Sequence, residues 1–309
     1  MNAWVRRILT KPLWLWETKR YYGMREKVFC LPPLGVRSNG GVPTLAVLTT
    51  PKTINNAAWA LYSIARQLES EVSMEMVVDG QIGKHRVLEI CRLLPGILIS
   101  SVRDHVDRLA PSAPALFRLA KTHPMAGKMA AILNLQRRAH LLFSDDDVLA
   151  FRPLNDVDRC IVAGVPHALY LREQSGGKVQ EEPSIRVGLE KLGLPWLHDI
   201  NVGFILIPKD SLDIAMCDRI LEESPPVETW FPDTMILAAL LRQKAAQVLP
   251  DSYVVSTQRQ FFYEADVDYT KVVLRHFVTP VRHLMYAKGM PRIWRCAERK
   301  RATRIEPNR

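Results

Sequence analysis

The sequence predicts an α/β fold in which helices cover both faces of a mainly parallel sheet. Short apolar segments alternate with segments of helical spacing over about a hundred residues, which is typical of repeated strand–helix units. The chain has 309 residues, of which 48% are hydrophobic, so it can bury a sizeable core as one large domain or two small ones. The apolar run 141–143 ends abruptly in three acids, which indicates a buried strand that ends at a ligand-binding edge.

The first half of the chain shows the alternation most clearly. Compact apolar runs predict strands over 44–50, 74–78 and 96–100. Helical spacing predicts helices over 57–67, 86–94 and 128–137. Asn55 or Asn56 is expected to cap the first helix, and the third runs into the strand that bears the acids.

The second half is predicted in the same way, with one long interruption. Residues 160–171 read as a strand, and the polar, Gly- and Pro-bearing interval 172–198 as a mobile loop. Further strands are expected over 201–208 and 272–278, and further helices over 212–221 and 233–246.

The two ends differ in composition from the body. Residues 1–27 carry +5 and residues 282–309 carry +7 of the total charge of +10, so the body between them is nearly neutral. The first end also interleaves Trp and Tyr with Lys and Arg, which suits a membrane interface, although packing of these rings on the body is a nearly equal alternative. We therefore divide the chain into a basic aromatic segment with a linker (1–43), a body (44–288) and a basic tail (289–309).

Composition also indicates the cellular compartment expected for the protein. The five cysteines are scattered and lack CxxC spacing, which argues against a zinc site or a disulfide framework and for a reducing compartment. No uninterrupted apolar run is long enough to span a membrane, and the first residues lack a secretory signal pattern. The charge distribution does not fit a nucleic-acid-binding surface. The expected location is cytoplasmic, with possible attachment to the inner face of a membrane.

The acidic triplet is the candidate chemical centre. Asp145 and Asp147 are two residues apart, so in extended backbone their side chains point the same way. Two carboxylates facing one point suit a divalent cation that is also held by the phosphates of a substrate. A solvated acidic turn is the alternative. No role is expected for Asp146, which would face the opposite way.

Several short motifs occur in a defined order around this triplet. They are Asp145-Asp146-Asp147, Asn201-Val202-Gly203 before an apolar strand, Asp233 before a helix, and His276-Phe277 followed by Arg282. In this order the chain resembles, over residues 44–288, the nucleotide-sugar glycosyltransferases of the GT-A fold, most nearly glycosyltransferase family 8. The chain departs from that pattern at Thr234, Thr279 and Arg282, where the family has Gln, Gly and Lys, and it lacks the family's closing Pro-Trp.

The resemblance implies a role for each candidate residue. Asp145, Asp147 and His276 would hold Mn²⁺ or Mg²⁺, which assists departure of the nucleotide diphosphate. Lys128 and Arg282 would contact the phosphates of the donor. Asn201 and Asp233 would bind hydroxyl groups of the transferred sugar. Thr50 and Asp79, at the ends of the first two strands, would lie near the ribose and base. The acceptor would be a glycan or a lipid-linked sugar.

Simpler explanations exist for most of these residues. His276 can be a satisfied core histidine, Asn201 a turn residue, Asp233 a helix cap and Lys128 a solvated residue in a first helical turn. Two other functions also remain open, a sugar nucleotidyltransferase and a non-catalytic peripheral membrane adaptor. The first is less favoured because the turn after the first strand, 49–55, contains no glycine to approach a triphosphate.

Overall fold

A computed structural model describes most of the chain. The described residues are 15–16, 18–35, 41–173, 182–227, 229, 231–255, 267–278 and 281–305, with side chains as far as 298. Residues 1–14, most of the predicted linker, 174–181 of the predicted loop, Thr279 and the end of the basic tail lie outside them.

The main sheet has seven strands in the order β3-β2-β1-β4-β7-β6-β8. Their bounds are β1 Thr44–Thr49, β2 Ser73–Val78, β3 Leu98–Ser101, β4 Leu141–Asp145, β6 Leu169–Arg172, β7 Ile200–Ile207 and β8 Gln247–Val248. Strand β7 is antiparallel to its neighbours β4 and β6, whereas the other adjacent pairs are parallel. The predicted mainly parallel sheet is confirmed.

Helices cover both faces of this sheet, as predicted. They are α1 Ile54–Gln67, α2 Lys84–Leu93, α3 Val102–Leu109, α4 Pro114–Ala120, α5 Pro124–Arg138, α6 Asn155–Val162, α7 Pro183–Lys191, α8 Ile214–Glu223 and α9 Pro232–Arg242. Alternation along β1 shows the two layers, because Leu45 and Val47 belong to one core cluster and Ala46 to the other.

A second, three-stranded sheet adjoins the end of β4. It consists of β5 Val148–Ala150, β9 Tyr253–Val255 and β10 Leu274–His276, in the order β5-β10-β9. Strand β10 is antiparallel to β5 and parallel to β9. Only a two-residue turn separates β4 from β5, so this small sheet is held directly beside the acidic triplet.

The predicted strand over 160–171 is wrong for most of its length. Helix α6 ends at Val162, and only Leu169–Arg172 form a strand. Gly164 and Val165 both have positive φ and reverse the chain between these elements. Helix α6 buries Val157 and Cys160, which are three residues apart, the spacing of one helical face rather than of a strand.

Other predicted boundaries also need correction. The interval predicted as a loop contains α7, whose first turn begins at Pro183. Helix α5 begins at Pro124, so Lys128 lies in its second turn and is buried rather than solvated. Thr53 occupies the N-cap position of α1, and Asn55 and Asn56 are buried inside that helix.

Parts of both chain ends pack on the body. A 3-10 helix, Tyr22–Cys30, places Val28 and Phe29 in the core. The chain ends in Arg282–Leu284, a π-helical stretch Met285–Gly289 and helix α10, Met290–Ile305, whose Ile293 and Ala297 also join that core. Among the described residues, none of the helices is both long and apolar enough to span a membrane.

Candidate active site

The carboxyl ends of β1, β2 and β4 open into one cleft with a volume of about 670 Å³. This edge is where parallel α/β sheets bind ligands, because loops and helix starts diverge there. The cleft is lined by all nine residues that the sequence singles out, namely Thr50, Asp79, Lys128, Asp145, Asp147, Asn201, Asp233, His276 and Arg282. The structure brings these residues together, and the role of each remains a prediction.

Three ligand-type side chains form a tight cluster at the centre of the cleft. The Nε2 atom of His276 lies 3.0 Å from Oδ1 of Asp147 and 3.8 Å from Oδ2 of Asp145. One donor atom from each residue lies within 4.8 Å of the others, so the set could hold a metal ion. Two carboxylate oxygens and one imidazole nitrogen fit Mn²⁺, which accepts both types of ligand.

The two acids converge for a different reason from the one predicted. Asp145 is the last residue of β4, whereas Asp146 and Asp147 form the turn into β5. The turn, rather than extended backbone, directs Asp147 back toward Asp145. His276 reaches the turn because β10 pairs with β5, with His276 opposite Val148, and because the Phe277 N–H donates to the Asp147 carbonyl at 2.8 Å.

Asp147 is the most strongly engaged acid of the cluster. Burial would raise its pKa, but the His276 imidazole and the Arg282 guanidinium hold the pKa well below its ordinary range. Asp147 in turn raises the pKa of Arg282. Burial would lower the pKa of His276, yet Asp147 and then Asp145 raise it. The carboxylates of Asp145 and Asp147 therefore stabilise a positive charge that lies between them.

Lys128 is a buried cation between two acids. Its Nζ atom lies 2.9 Å from Oδ1 of Asp145 and 3.5 Å from Oδ2 of Asp233. Burial would lower the pKa of Lys128, but these two carboxylates raise it. Burial also raises the pKa of Asp233, against the effect of Lys128. Lys128 thus links Asp145, the last residue of β4, with Asp233, in the first turn of α9.

Asn201 and Gly203 border His276 from β7. The Oδ1 atom of Asn201 lies 2.8 Å from Nδ1 of His276 and accepts the Gly203 N–H at 3.0 Å, while its amide nitrogen donates to Glu173 at 2.9 Å. A Cβ atom on Gly203 would stand 2.4 Å or less from the imidazole ring. Asn201 lines the cleft, but its side chain is already bonded within the protein.

The nucleotide-side candidates lie at the ends of β1 and β2. Thr50 and Asp79 are exposed, and the Asp79 N–H donates to the Thr49 carbonyl at 2.8 Å. Asp146 faces this side as well, because the Thr49 hydroxyl donates to its Oδ2 atom at 3.1 Å. Burial and the neighbouring Asp147 raise the pKa of Asp146 to about 7.

The sequence prediction lacks two acids of the cleft. It gives no role to Asp146, yet Asp146 lines the cleft together with Thr49. It places Glu173 in a loop, yet Glu173 follows β6 directly and lies beside Asn201. The available signal for Glu173 is its position just after a strand, since the predicted strand ends at residue 171 and β6 at Arg172.

Comparison with known proteins places the chain by its fold. No family model matches the sequence, and no curated protein matches it either. The bifunctional glycosyltransferase WbbM superposes with a TM-score of 0.51 at 13% identity, covering 80% of this chain and 47% of its own. The galactosyltransferase LgtC, solved with donor and acceptor sugar analogues, gives 0.50 at 16% identity and covers 83% and 95%.

A third neighbour is similar to the same extent. The glycosyltransferase GlyE of Streptococcus pneumoniae TIGR4 gives a TM-score of 0.51 at 13% identity, covering 84% of this chain and 64% of its own. The chain thus spans under half of WbbM, about two thirds of GlyE and nearly all of LgtC. The fold is GT-A, the fold of these glycosyltransferases.

Proposed function

We propose that the protein is a metal-dependent glycosyltransferase that moves a hexosyl group from a nucleotide diphosphate sugar to a glycan or lipid-linked acceptor. The observation that carries this proposal is the cluster of Asp145, Asp147 and His276 in a 670 Å³ cleft at the carboxyl ends of parallel strands. Such a cleft has room for a nucleotide and a sugar together. The ordered motifs and the GT-A fold support the same function.

The residues present fit a divalent cation. Asp145, Asp147 and His276 would hold it, leaving further coordination positions for phosphate oxygens. When bound, the cation would act as a Lewis acid that neutralises charge on the departing diphosphate. The described part of the chain otherwise offers this cleft the cations Lys128 and Arg282.

The remaining side chains would bind and orient the donor. Arg282 is about one third exposed and can turn from Asp147 to a phosphate, which its planar group can bind bidentately. Lys128 is held between two carboxylates, so it would stabilise the donor phosphates through the electrostatic field of its fixed positive charge. Asp233 would accept a hydrogen bond from a sugar hydroxyl, and Thr50 and Asp79 would contact the ribose and base.

The order of the motifs favours family 8 within this fold, with Mn²⁺ as the expected metal. The departures at Thr234 and Arg282 leave the motifs short of the family pattern. The stereochemical outcome of transfer is therefore best measured directly.

A cytoplasmic location at an anionic membrane surface is part of the same proposal. The two basic ends lie side by side, since the Lys27 ammonium is 5.4 Å from the Trp294 ring centroid and the Tyr22 and Tyr286 rings are 5.7 Å apart. Trp16, beside Lys19 and Arg20, is 54% exposed. This composition suits a lipid headgroup region.

The function is tested by incubating the purified chain with a panel of nucleotide sugars and Mn²⁺, and then measuring the nucleoside diphosphate released. A glycosyltransferase gives slow hydrolysis or transfer that EDTA abolishes. A nucleotidyltransferase instead needs a nucleoside triphosphate and releases pyrophosphate, and an adaptor gives neither product. Complete inactivity with every donor and with glycan acceptors would contradict the proposal.

Matched variants of the triplet sharpen this test. Asp147→Asn removes a ligand carboxylate at constant volume and should lower turnover by about 100-fold or more. Asp146→Asn makes the same chemical change at the adjacent residue and keeps an oxygen that accepts from the Thr49 hydroxyl. It should therefore lower turnover far less than Asp147→Asn. Near-normal turnover of the Asp147 variant in Mn²⁺ would refute the metal assignment.

A further inference from the structure

The hydrogen bonds around Asn201 define which end of its amide faces His276. The Gly203 N–H can only donate, and it points at the atom that lies 3.0 Å away, so that atom must be the carbonyl oxygen Oδ1. The amide nitrogen then faces the Glu173 carboxylate, which can only accept when ionised. Both neighbours thus give the amide the same orientation.

This orientation determines the hydrogen on Nδ1 of His276. The Nδ1 atom lies 2.8 Å from an oxygen that can only accept, so Nδ1 must carry a hydrogen. Nε2 lies 3.0 Å from Oδ1 of Asp147, which also accepts, so without a cation Nε2 carries a hydrogen as well. A cation held by Asp145 and Asp147 would take the place of the hydrogen on Nε2, whereas Nδ1–H would keep its bond to Asn201. Glu173, Asn201 and His276 form a chain of hydrogen bonds that holds Nε2 toward the two carboxylates.

Gly203 leaves room for the same imidazole ring. The pairing of β6 with β7 shifts register between Ile205 and Asn201, and this irregular stretch places residue 203 beside Asn201 and His276. A Cβ atom on residue 203 would lie 2.3 Å from Cε1 and 2.4 Å from Nδ1 of His276 and 2.9 Å from Oδ1 of Asn201. A side chain at residue 203 would therefore displace the imidazole from its contact with Asn201.

We propose that Asn201 and Gly203 are positioning residues for His276, which orient its imidazole and bind the Nδ1–H so that Nε2 faces the cation. This inference rests on the proposed function for the identity of the cation. It assigns the Asn-x-Gly element a task in metal binding. Groups of this kind behind a metal-bound histidine are worth about 10- to 100-fold in metal affinity.

The test measures Mn²⁺ binding to the full chain by the loss of the EPR signal of free Mn²⁺, without donor or acceptor. Asn201→Ala should weaken binding by about 10- to 100-fold. The double variant Asn201→Asp/Glu173→Gln reverses donor and acceptor at that contact but keeps a carboxylate oxygen for Nδ1, so it should bind within a few-fold of the wild type. Equal Mn²⁺ affinity in wild type and Asn201→Ala would overturn the proposal.

Gly203→Ala tests the steric part and should weaken Mn²⁺ binding to a similar extent. Ile205→Ala controls for loss of stability, since Ile205 is buried on the same strand away from the cleft. It should lower the melting temperature and leave Mn²⁺ affinity unchanged. An affinity loss in Ile205→Ala as large as that in Gly203→Ala would mean that strand stability, not ring position, governs binding.

A second readout separates this inference from the proposed function. NMR on metal-free protein detects the Nδ1–H proton of His276 directly when a hydrogen bond slows its exchange with water. The wild type should show this proton, and Asn201→Ala should lose it to exchange. Failure of the wild type to bind Mn²⁺ would refute the proposed function alone, whereas an Nδ1–H signal that persists in Asn201→Ala would refute the inference alone.

Discussion

Arg282 donates from both Nε and Nη2 to a single oxygen, Oδ2 of Asp147, at 3.1 and 2.5 Å. His276 faces the other oxygen of the same carboxylate at 3.0 Å. The group expected to bind donor phosphate therefore lies on a group expected to bind the cation. A donor that draws Arg282 away would free that oxygen, so donor and cation should each promote binding of the other.

Arg282→Ala is expected to change both affinities in opposite directions. Binding of a nucleoside diphosphate should weaken by about tenfold or more, because a charge-assisted contact is lost. Binding of Mn²⁺ alone should tighten, because Asp147 no longer has a competing cation. Calorimetry with each ligand separately, and then with both together, measures the two changes and the loss of coupling.

Arg295→Ala is the matched control for this prediction. Arg295 is exposed on α10, and its guanidinium donates a hydrogen bond to the Pro291 carbonyl rather than to Asp147. It should leave both affinities unchanged. If Arg282→Ala also leaves nucleotide affinity unchanged, Arg282 does not contact phosphate.

Lys128 should be essential for stability as well as for binding. Lys128→Met leaves the carboxylates of Asp145 and Asp233 facing each other without their cation, and loss of one partner from a buried ion pair costs about 3–5 kcal/mol. Adding Asp233→Asn removes one of these charges and should restore part of the loss. The free energy of unfolding in urea measures both effects.

Lys191→Met supplies the comparison for an exposed lysine. Its surface pair with Glu223 should contribute less than about 1 kcal/mol. A double variant no more stable than Lys128→Met would show that repulsion between the acids is not the cause of the loss.

Glu75 should make stability depend on pH in acid. Burial would raise its pKa, but hydrogen bonds from His105 and Ser100 and the Arg138 guanidinium hold it at about 2. The folded-state pKa is thus below its ordinary value of 4.5. The stabilising contribution is therefore complete above about pH 4.5 and is lost as the pH falls through about 2.

Glu75→Gln tests this dependence. Its deficit in the free energy of unfolding should be largest near pH 6 and should shrink by about 2 kcal/mol between about pH 6 and pH 3. Glu222→Gln, at an exposed position on α8, should show no such trend. Parallel curves for the wild type and Glu75→Gln would contradict the prediction.

The basic ends should bind anionic vesicles. Deleting residues 289–309 is unsuitable as a test, because Ile293 and Ala297 belong to the core. Replacing exposed Lys19, Arg20 and Arg295 by Gln retains the fold and should weaken binding by about 100-fold, at about 1 kcal/mol per cation. Co-sedimentation with anionic and neutral vesicles at low and high salt measures the effect.

The control for this experiment removes the same charge elsewhere. Arg103, Arg159 and Lys271 are each at least 78% exposed on the body. Their replacement by Gln should leave sedimentation unchanged. Equal weakening by the two triple variants would mean that net charge, rather than the surface formed by the two ends, attracts the vesicles.

Strands β1, β2, β4 and β7 could be predicted because each is a short apolar run that is mostly buried. The two-residue β8 is too short to give such a signal. The same rule failed around Cys160, where an amphipathic helix and a short strand are both apolar and lie only a few residues apart. Periodicity cannot separate such a helix from a strand when the connecting turn depends on backbone conformation, here that of Gly164 and Val165.

Asp145 and Asp147 could be predicted from their position at a strand end, and the resemblance grouped His276 with them, but the hydrogen bonds of the site could not be predicted. The contact of Asn201 with His276 joins residues 75 positions apart and depends on which strand lies beside which. That Gly203 leaves room for an imidazole, and that Arg282 bonds to Asp147, likewise follow only from the pairing of β10 with β5.

The pairing of β10 with β5 also has a consequence for biosynthesis. A nascent chain that has emerged as far as residue 255 already contains all seven strands of the main sheet, together with Asp145 and Asp147. It lacks His276 and Arg282, the two groups that face the Asp147 carboxylate. Until the last strand is delivered, the main sheet can assemble while the turn between β4 and β5 still lacks these partners. Assembly of the main sheet can thus precede completion of the cluster, and a chain that terminates early would lack the imidazole of the cluster.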